Sequence, residues 1–255
     1  MPSLWSNKFE IKPGYWVFEP SEECRVIGGD LKNKIFGKWK PPDYYFHFQD
    51  GGHVAAAKSH FGNVFFLKID ISKFFCSINR SRITRNLKEF FGYADARDYA
   101  VKSTVRDPNN KNKFFLPYGY VQSLCLASLA LSKSQLGVEL NKIRRSNGCA
   151  ISVYVDDIII SSKNIDLLYG IKDVVIESAR KSKFFINENK TEGPSTLITA
   201  FNLDISYNSV KINQTRFYEL LDNHRDSDLI AQKEGIEGYV RSVDLNQYQL
   251  FMSLI

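Results

Sequence analysis

The chain has 255 residues, 44% of them hydrophobic and 14% aromatic, and a formal net charge of +6. This composition excludes a disordered chain and is enough for one large domain or two small ones with a real core. The basic surplus suits a polyanionic partner but requires none. In chain order, residues 1–60 read as irregular, broken by Lys40-Pro41-Pro42-Asp43 and by Gly51-Gly52, with a short helix over 54–59. Val-Phe-Phe-Leu-Lys-Ile at 64–69 is a buried strand ending at Asp70. Helices are predicted over 81–91, 95–105 and, as one long element, 121–140, with an extended piece at 114–118. Strands over 150–155 and 158–161 flank Asp156-Asp157 as a tight hairpin turn. A helix follows from Asn164 to about 182. Strands are predicted near 197–203 and 210–212, and helices from Thr215 to the end.

This order is α+β. It matches a ferredoxin-like β-α-β-β-α-β core with its central strands paired antiparallel. In that core the end of the first strand lies beside the central hairpin turn, so Asp70 is expected to meet Asp156 and Asp157. Adjacent acids on a turn repel each other, and a hard divalent cation relieves the conflict through carboxylate oxygens. The plain alternative is a solvated Asp-Asp turn. The four cysteines, Cys24, Cys76, Cys125 and Cys149, are far apart with no Cys-x-x-Cys pair, which argues against zinc and against a disulfide framework. The first residues lack a signal-peptide pattern, and no apolar run approaches a membrane span. A cytoplasmic protein with no membrane association is the expectation.

Five ordered motifs then stand out. Asp70-Ile-Ser-Lys-Phe-Phe-Cys-Ser-Ile, Leu116-Pro-Tyr-Gly-Tyr-Val-Gln122-Ser, Tyr154-Val-Asp-Asp157, Asn187-Glu-Asn-Lys-Thr191 and Ala200-Phe-Asn-Leu203 occur in this order. They resemble the motifs of prokaryotic reverse transcriptases of the retron and group II intron type, and most of all the anti-phage defence and abortive-infection members. The resemblance covers about residues 60–212, and five motifs in order make it specific where one Tyr-x-Asp-Asp would be weak. Tyr118 stands where the family has glutamine, and Leu124 where a proline often follows the serine. No basic triphosphate-binding motif is recognisable in residues 1–60, where Arg25, Lys38, Lys40 and Lys58 are the candidates.

The resemblance implies a reverse transcriptase palm with short fingers and a short helical thumb. The expected division is 1–60 as the N-terminal fingers segment, 61–212 as palm with inserted fingers elements, and 213–255 as thumb. It implies an RNA-directed DNA polymerase that joins dNTPs to a primer hydroxyl with two Mg²⁺ ions, Mn²⁺ being the alternative. Asp70, Asp156, Asp157 and the Ile71 carbonyl would hold the ions, and Lys190 would meet the departing pyrophosphate. Phe75, with Phe74, Tyr118, Gly119 and Gln122, would form the nucleotide pocket, and Tyr154 would touch the primer end. An aromatic at Phe75 leaves no room for a 2′-hydroxyl and favours a DNA product. The partners implied are an RNA template, of a noncoding kind, and a DNA product, in bacterial antiviral defence. A template-independent or protein-primed polymerase is the alternative within the enzyme class, and a catalytically silent palm that binds RNA or protein is the alternative outside it. The apolar end, Leu250-Phe-Met-Ser-Leu-Ile255, calls for cover by a partner subunit or by self-association.

Overall fold

The computed structural model of the chain describes residues 4–255. Its elements in chain order are β1 (Trp5–Lys12), β2 (Tyr15–Pro20), α1 (Glu22–Phe36), α2 (Gly52–Lys58), β3 (Phe65–Ser72), α3 (Arg80–Lys102), β4 (Val105–Asp107) and β5 (Asn110–Phe115). Then come α4 (Ser123–Ser132), α5 (Gln135–Arg145), β6 (Cys149–Tyr154), β7 (Asp157–Ser162), α6 (Ile165–Lys181), β8 (Phe185–Ile186), β9 (Glu192–Ser195), β10 (Leu197–Ala200), β11 (Leu203–Ser206), β12 (Ser209–Ile212), α7 (Gln214–Asp226), α8 (Ile230–Val243) and α9 (Leu245–Leu254). The described residues pack as two compact units: 4–42, 71–141 and 175–185 in the first, 43–70, 142–174 and 186–255 in the second.

The first unit corrects the expectation of an irregular N-terminus. Residues 5–20 form an antiparallel hairpin, and α1 is a regular helix of 15 residues. Its start has a local cause: the Ser21 hydroxyl accepts from the Cys24 amide, and Glu22 and Glu23 sit in the positive first turn. Gly28-Gly29 in its middle lowers helix propensity and hides it from pattern reading. Phe18, Cys24, Val105, Phe115 and Tyr120 form one small core of this unit. The expected pair of helices over 81–105 is present as α3, broken at Gly92 with φ +75°. The long helix expected over 121–140 is two helices instead. Its break lies at Lys133-Ser134, where Gly137 comes so close to the Leu131 and Ser132 carbonyls that a Cβ there would lie 2.2 Å from one of them.

The second unit contains the central sheet. Its order is β6-β7-β3-β8, with β9 also pairing β3. The alternation of Phe66, Leu67 and Ile69 with the β7 isoleucines buries both faces of β3, as a near-continuous apolar run requires. Behind the sheet Phe66 and Ile159 join a core made with β10–β12 and α7–α9. The single strand expected over 197–203 is two strands joined by Phe201 and Asn202, both at positive φ, so β10, β11 and β12 make a meander. Under the central hairpin His60 is fully buried between the hydroxyls of Ser152 on β6, at 2.8 Å, and Ser161 on β7, at 2.7 Å. Burial pushes its imidazole down to about 3, so it is neutral and ties the two strands together as one donor and one acceptor. At the chain's apolar end Phe251 is in the core, whereas Leu250, Met252, Leu254 and Ile255 are exposed.

Adjacent glycines of α1 give a test of opposite sign. A Cβ on Gly28 would lie 2.1 Å from the Oε1 of buried Gln122, while one on Gly29 would meet nothing within 4 Å. Gly29→Ala is expected to stabilise the protein by about 0.5–1 kcal/mol through helix propensity. Gly28→Ala is expected to destabilise it by about 1–3 kcal/mol through overpacking. Urea melts of the two variants check the signs; equal shifts would show that α1 does not pack on Gln122.

Candidate active site

Asp70 is the sixth residue of β3, and the antiparallel register with β7 places it directly opposite Asp157. Directly opposed residues of such a pair have Cβ atoms about 4.5–5.5 Å apart. Asp157 in turn pairs with Tyr154 across the hairpin, which leaves Val155 and Asp156 as its two turn residues. Thus three carboxylates gather at one end of the second unit's sheet. Asp70 is only 4% exposed, so its charge is a desolvated one.

Two ammonium groups answer these acids. The Lys190 Nζ lies 3.3 Å from Asp70 Oδ2. Lys190 is brought there by the segment after β8. The Asn187 amide donates to the Asp70 carbonyl at 2.9 Å, and the turn closes through Lys190 N–H to the Asn187 carbonyl and Thr191 Oγ1 to the same oxygen. Burial works against the Lys190 charge, but Asp70 first, then Asp156 and Asp157, hold its pKa above the ordinary lysine value. Lys68, on β3, reaches Glu192 at 3.3 Å and the Thr199 carbonyl at 2.7 Å.

Four carboxylates, Asp70, Asp156, Asp157 and Glu192, therefore face two ammonium groups. The imbalance falls on Asp157. Burial chiefly, then the charges of Asp156 and Asp70, push its carboxyl up to about 7 against the opposing pull of Lys68 and Lys190. Among the described residues no three His, Cys, Asp or Glu side chains are gathered as tightly as a bound ion requires. The donor set nonetheless fits a divalent ion of the Mg²⁺ kind: hard oxygens only, in excess negative charge, in a rigid strand register.

The hairpin tip is held in a strained state. Val155 has φ +60°, which a β-branched residue rarely adopts and which costs about 1–3 kcal/mol. Positive φ at the first turn residue alone is the type II′ pattern. The Val155 amide donates to His47 Nδ1 at 3.1 Å. Burial pushes His47 down to about 4, so the ring is neutral at pH 7 and its nitrogen can accept. Val153 N–H donates to the Tyr44 carbonyl at 2.8 Å, so residues 44–47 form a rail along β6. Tyr154 sits half-buried in an aromatic enclosure of Phe201, His53 and His47, with ring centroids 5.3, 5.9 and 6.0 Å away. His47 and His53 were not found from the sequence, and Phe201 stood out only as part of the motif at 200–203. His47 lies 108 positions from Val155, and nothing local marks it as the partner of a turn amide.

The other predicted residues belong to the first unit. Ile71 follows Asp70 on β3 with its side chain fully buried. Phe74 is a core residue, 0% exposed and packed on Phe184 at 5.6 Å. Phe75 is half-buried against Tyr118, with ring centroids 4.9 Å apart, and Tyr118 also contacts Tyr15. Gly119 is exposed with φ +103°, and a Cβ there would lie 2.4 Å from the Phe18 carbonyl, so only glycine fits. Gln122 corrects its expectation. It is fully buried against Gly28 of α1, with its amide 3.3 Å from Ser103 Oγ, and has no surface to offer a nucleotide.

The sequence pattern of the family described as reverse transcriptase (RNA-dependent DNA polymerase) matches residues 20–217. The chain belongs to that family. This reverse transcriptase is 25% identical over 248 residues to the retron Ec86 reverse transcriptase of Escherichia coli, covering 94% of this chain and 75% of that one. It is 28% identical over 190 residues to the retron Ec48 reverse transcriptase of the same organism, covering 72% of this chain and 44% of the relative. Two solved structures share its fold. Telomerase from Candida albicans, solved with a fragment of telomeric RNA, has a TM-score of 0.53 at 11% identity, covering 91% of this chain and 47% of that one. The foamy viral protease-reverse transcriptase, solved with double-stranded DNA, has a TM-score of 0.51 at 14% identity, covering 91% and 34%. The prokaryotic reverse transcriptase fold with mixed helix and sheet is thus as expected. Among the described residues no helix is long and apolar enough to cross a membrane.

The raised Asp157 carboxyl gives a test by pH. Its folded value near 7 lies above the ordinary 3.8, so the folded state holds a proton that the unfolded state releases as pH rises through this window. Stability of the metal-free protein is therefore expected to fall as pH rises from about 4 to 7 and to level off above. Asp157→Asn removes the conflict and should stabilise the protein at pH 8 by on the order of 1–2 kcal/mol, with the gain vanishing near pH 4. Melting curves across that range decide it; no gain at pH 8 would mean the three charges are not in conflict.

Proposed function

We propose that this chain is an RNA-directed DNA polymerase whose chemistry is carried by Asp70, Asp156 and Asp157. The observation that supports this most is the β3–β7 register, which sets Asp70 opposite Asp157 with Asp156 on the hairpin tip. In the reaction the primer 3′-oxygen bonds to the α-phosphorus of a dNTP, the bond to the β-phosphate oxygen breaks, and pyrophosphate leaves. Two Mg²⁺ ions, or Mn²⁺ in their place, would lower the barrier by polarising the attacking and leaving oxygens. Asp70 and Asp156 would hold them, with Asp157 completing the set and the Ile71 carbonyl on the nucleotide side. Lys190, exposed and held above the ordinary lysine pKa, would meet the pyrophosphate charge or give it a proton. Tyr154, clamped in its aromatic enclosure, supports the primer end.

Residues 61–212 act as palm, 1–60 as a fingers segment and 213–255 as a short thumb. Phe75 takes the sugar-gate role, with Tyr118 as the wall behind it and Gly119 as the point of closest backbone approach. Phe74 anchors this wall in the core. The natural template is a noncoding RNA, the product is DNA, and the setting is the bacterial cytoplasm, in antiviral defence. The two retron reverse transcriptases of Escherichia coli among the relatives support a bacterial setting.

Primer extension with dNTPs and Mg²⁺ tests the reading directly. Asp156→Asn should lower incorporation by at least about 10³-fold while the protein still melts cooperatively. Incorporation at the wild-type rate would remove Asp156 from the site. Phe75→Ala should raise rNTP use relative to dNTP use, by up to about 10²-fold, even as total activity falls. An unchanged sugar preference with a loss of about 3–5 kcal/mol in stability would make Phe75 a packing residue only.

A further inference from the structure

The start of α3 is electrostatically unusual. Its first turns read Arg80-Ser-Arg82-Ile-Thr-Arg85, with no acid in the first turn. Basic side chains at a helix N-terminus oppose the helix dipole, and it is anions that such an end attracts. Two of these arginines line a cavity of about 300 Å³ in the first unit, together with Asn79, Asn86, Lys133 and Lys183. Ser134, Gln135, Lys181, Ser182 and the small Ala130 complete it. Its wall contains five basic side chains and no acid.

Arg82 is built into the floor. Its guanidinium lies 4.6 Å over the Phe184 ring, and one terminal nitrogen donates to the Ser182 carbonyl. The other, Nη1, is buried with no hydrogen-bond partner. A buried guanidinium nitrogen without an acceptor is costly, and a small outward turn of the Arg82 side chain would present it to an anion seated in the cavity. Nearby acids do not fill this need. Glu89 pairs with Lys133, and Glu177 pairs with Arg180 and Lys181, while Arg85 and Lys183 have no carboxylate partner among the described residues. Asn79 is committed to capping α3 through the Arg82 amide.

We infer that this cavity is a docking site for a phosphate of an RNA backbone, separate from the carboxylate site. No aromatic ring lines it, so it offers no platform for a base. Its exposed cations, Arg85 and Lys183, meet phosphate charge instead. The choice of RNA among phosphate carriers rests on the reverse transcriptase reading. The strand anchored here is held by charge and geometry and not by sequence. The site would therefore add affinity for a long template RNA without selecting its bases.

The test uses Arg85→Glu with Lys183→Glu, two side chains outside the proposed chemistry. Binding of a fluorescein-labelled single-stranded RNA is followed by anisotropy from about 50 to 200 mM salt. The double variant should bind about tenfold more weakly, and its slope of log affinity against log salt should be shallower by about 1.4, as for two lost phosphate contacts on a single strand. Its melting temperature and its extension of a short primer hairpin should stay at wild-type levels. If the charge reversal lowers the melting temperature, the neutral pair Arg85→Gln with Lys183→Gln is measured in its place. Unchanged RNA affinity and slope in a normally melting variant would overturn the proposal. So would stabilisation of the wild type by inorganic phosphate without any RNA effect of the variant, which would mark a small-anion site. An equal loss for DNA of the same sequence would overturn the choice of RNA. A wild type that binds RNA through this site but extends no primer would fail the polymerase reading and leave the docking site standing.

Discussion

The pairing of Asp70 with Asp157 across β3 and β7 is the constraint on which the rest of the second unit turns. Two acids are forced face to face by backbone register, with a third on the adjoining tip. Burial, with the charges of Asp156 and Asp70 beside it, raises the cost of charging Asp157 and pushes that carboxyl up to about 7. Lys68 and Lys190 relieve only part of it. A protein selected for stability alone would place other residues there.

Holding such a cluster in place requires stiffness behind it, and the second unit provides this in layers. The hairpin strands are tied by the His60 imidazole between Ser152 and Ser161, a fully satisfied polar link in an otherwise apolar sheet. At the tip, the strained Val155 conformation is retained because its amide has a neutral His47 acceptor and its neighbour Tyr154 is enclosed by rings. Strain of this kind persists only where surrounding contacts over-determine the backbone. Both histidines act as neutral groups because burial keeps their pKa values far below 7.

The first unit contributes a different logic. Its aromatic pair Phe74 and Phe75 divide the work, one packed on Phe184 and one half-exposed beside Tyr118. Gln122, which the motif suggested for a nucleotide contact, is spent on packing α4 against Gly28 of α1. Tyr118 replaces the family's glutamine in the same loop, so the loop's wall is aromatic and not amide-lined. The basic cavity at the start of α3 gathers residues from α3, from the α4–α5 junction and from the end of α6.

Much of the site was legible in the amino-acid order, because its parts are local. An apolar run ending at an acid, two apolar strands around Tyr-Val-Asp-Asp, and Asn-x-x-Lys-Thr each carry their own backbone chemistry within a few residues. Their apolar runs placed β3, β6 and β7, and the motif order marked Lys190. The N-terminal helix α1 was missed because Gly28-Gly29 interrupts its propensity. The split between α4 and α5 was missed because neither glycine nor proline stands at Lys133-Ser134 to mark it. What only the tertiary structure decided are the partnerships across long stretches of chain: Lys190 on Asp70 across 120 positions, His47 on the Val155 amide across 108, and Gln122 turned inward. Periodicity reports which face of an element is apolar. It cannot report which distant polar group will meet that element, since this is set by how the faces pack and by which buried donors and acceptors must then be satisfied.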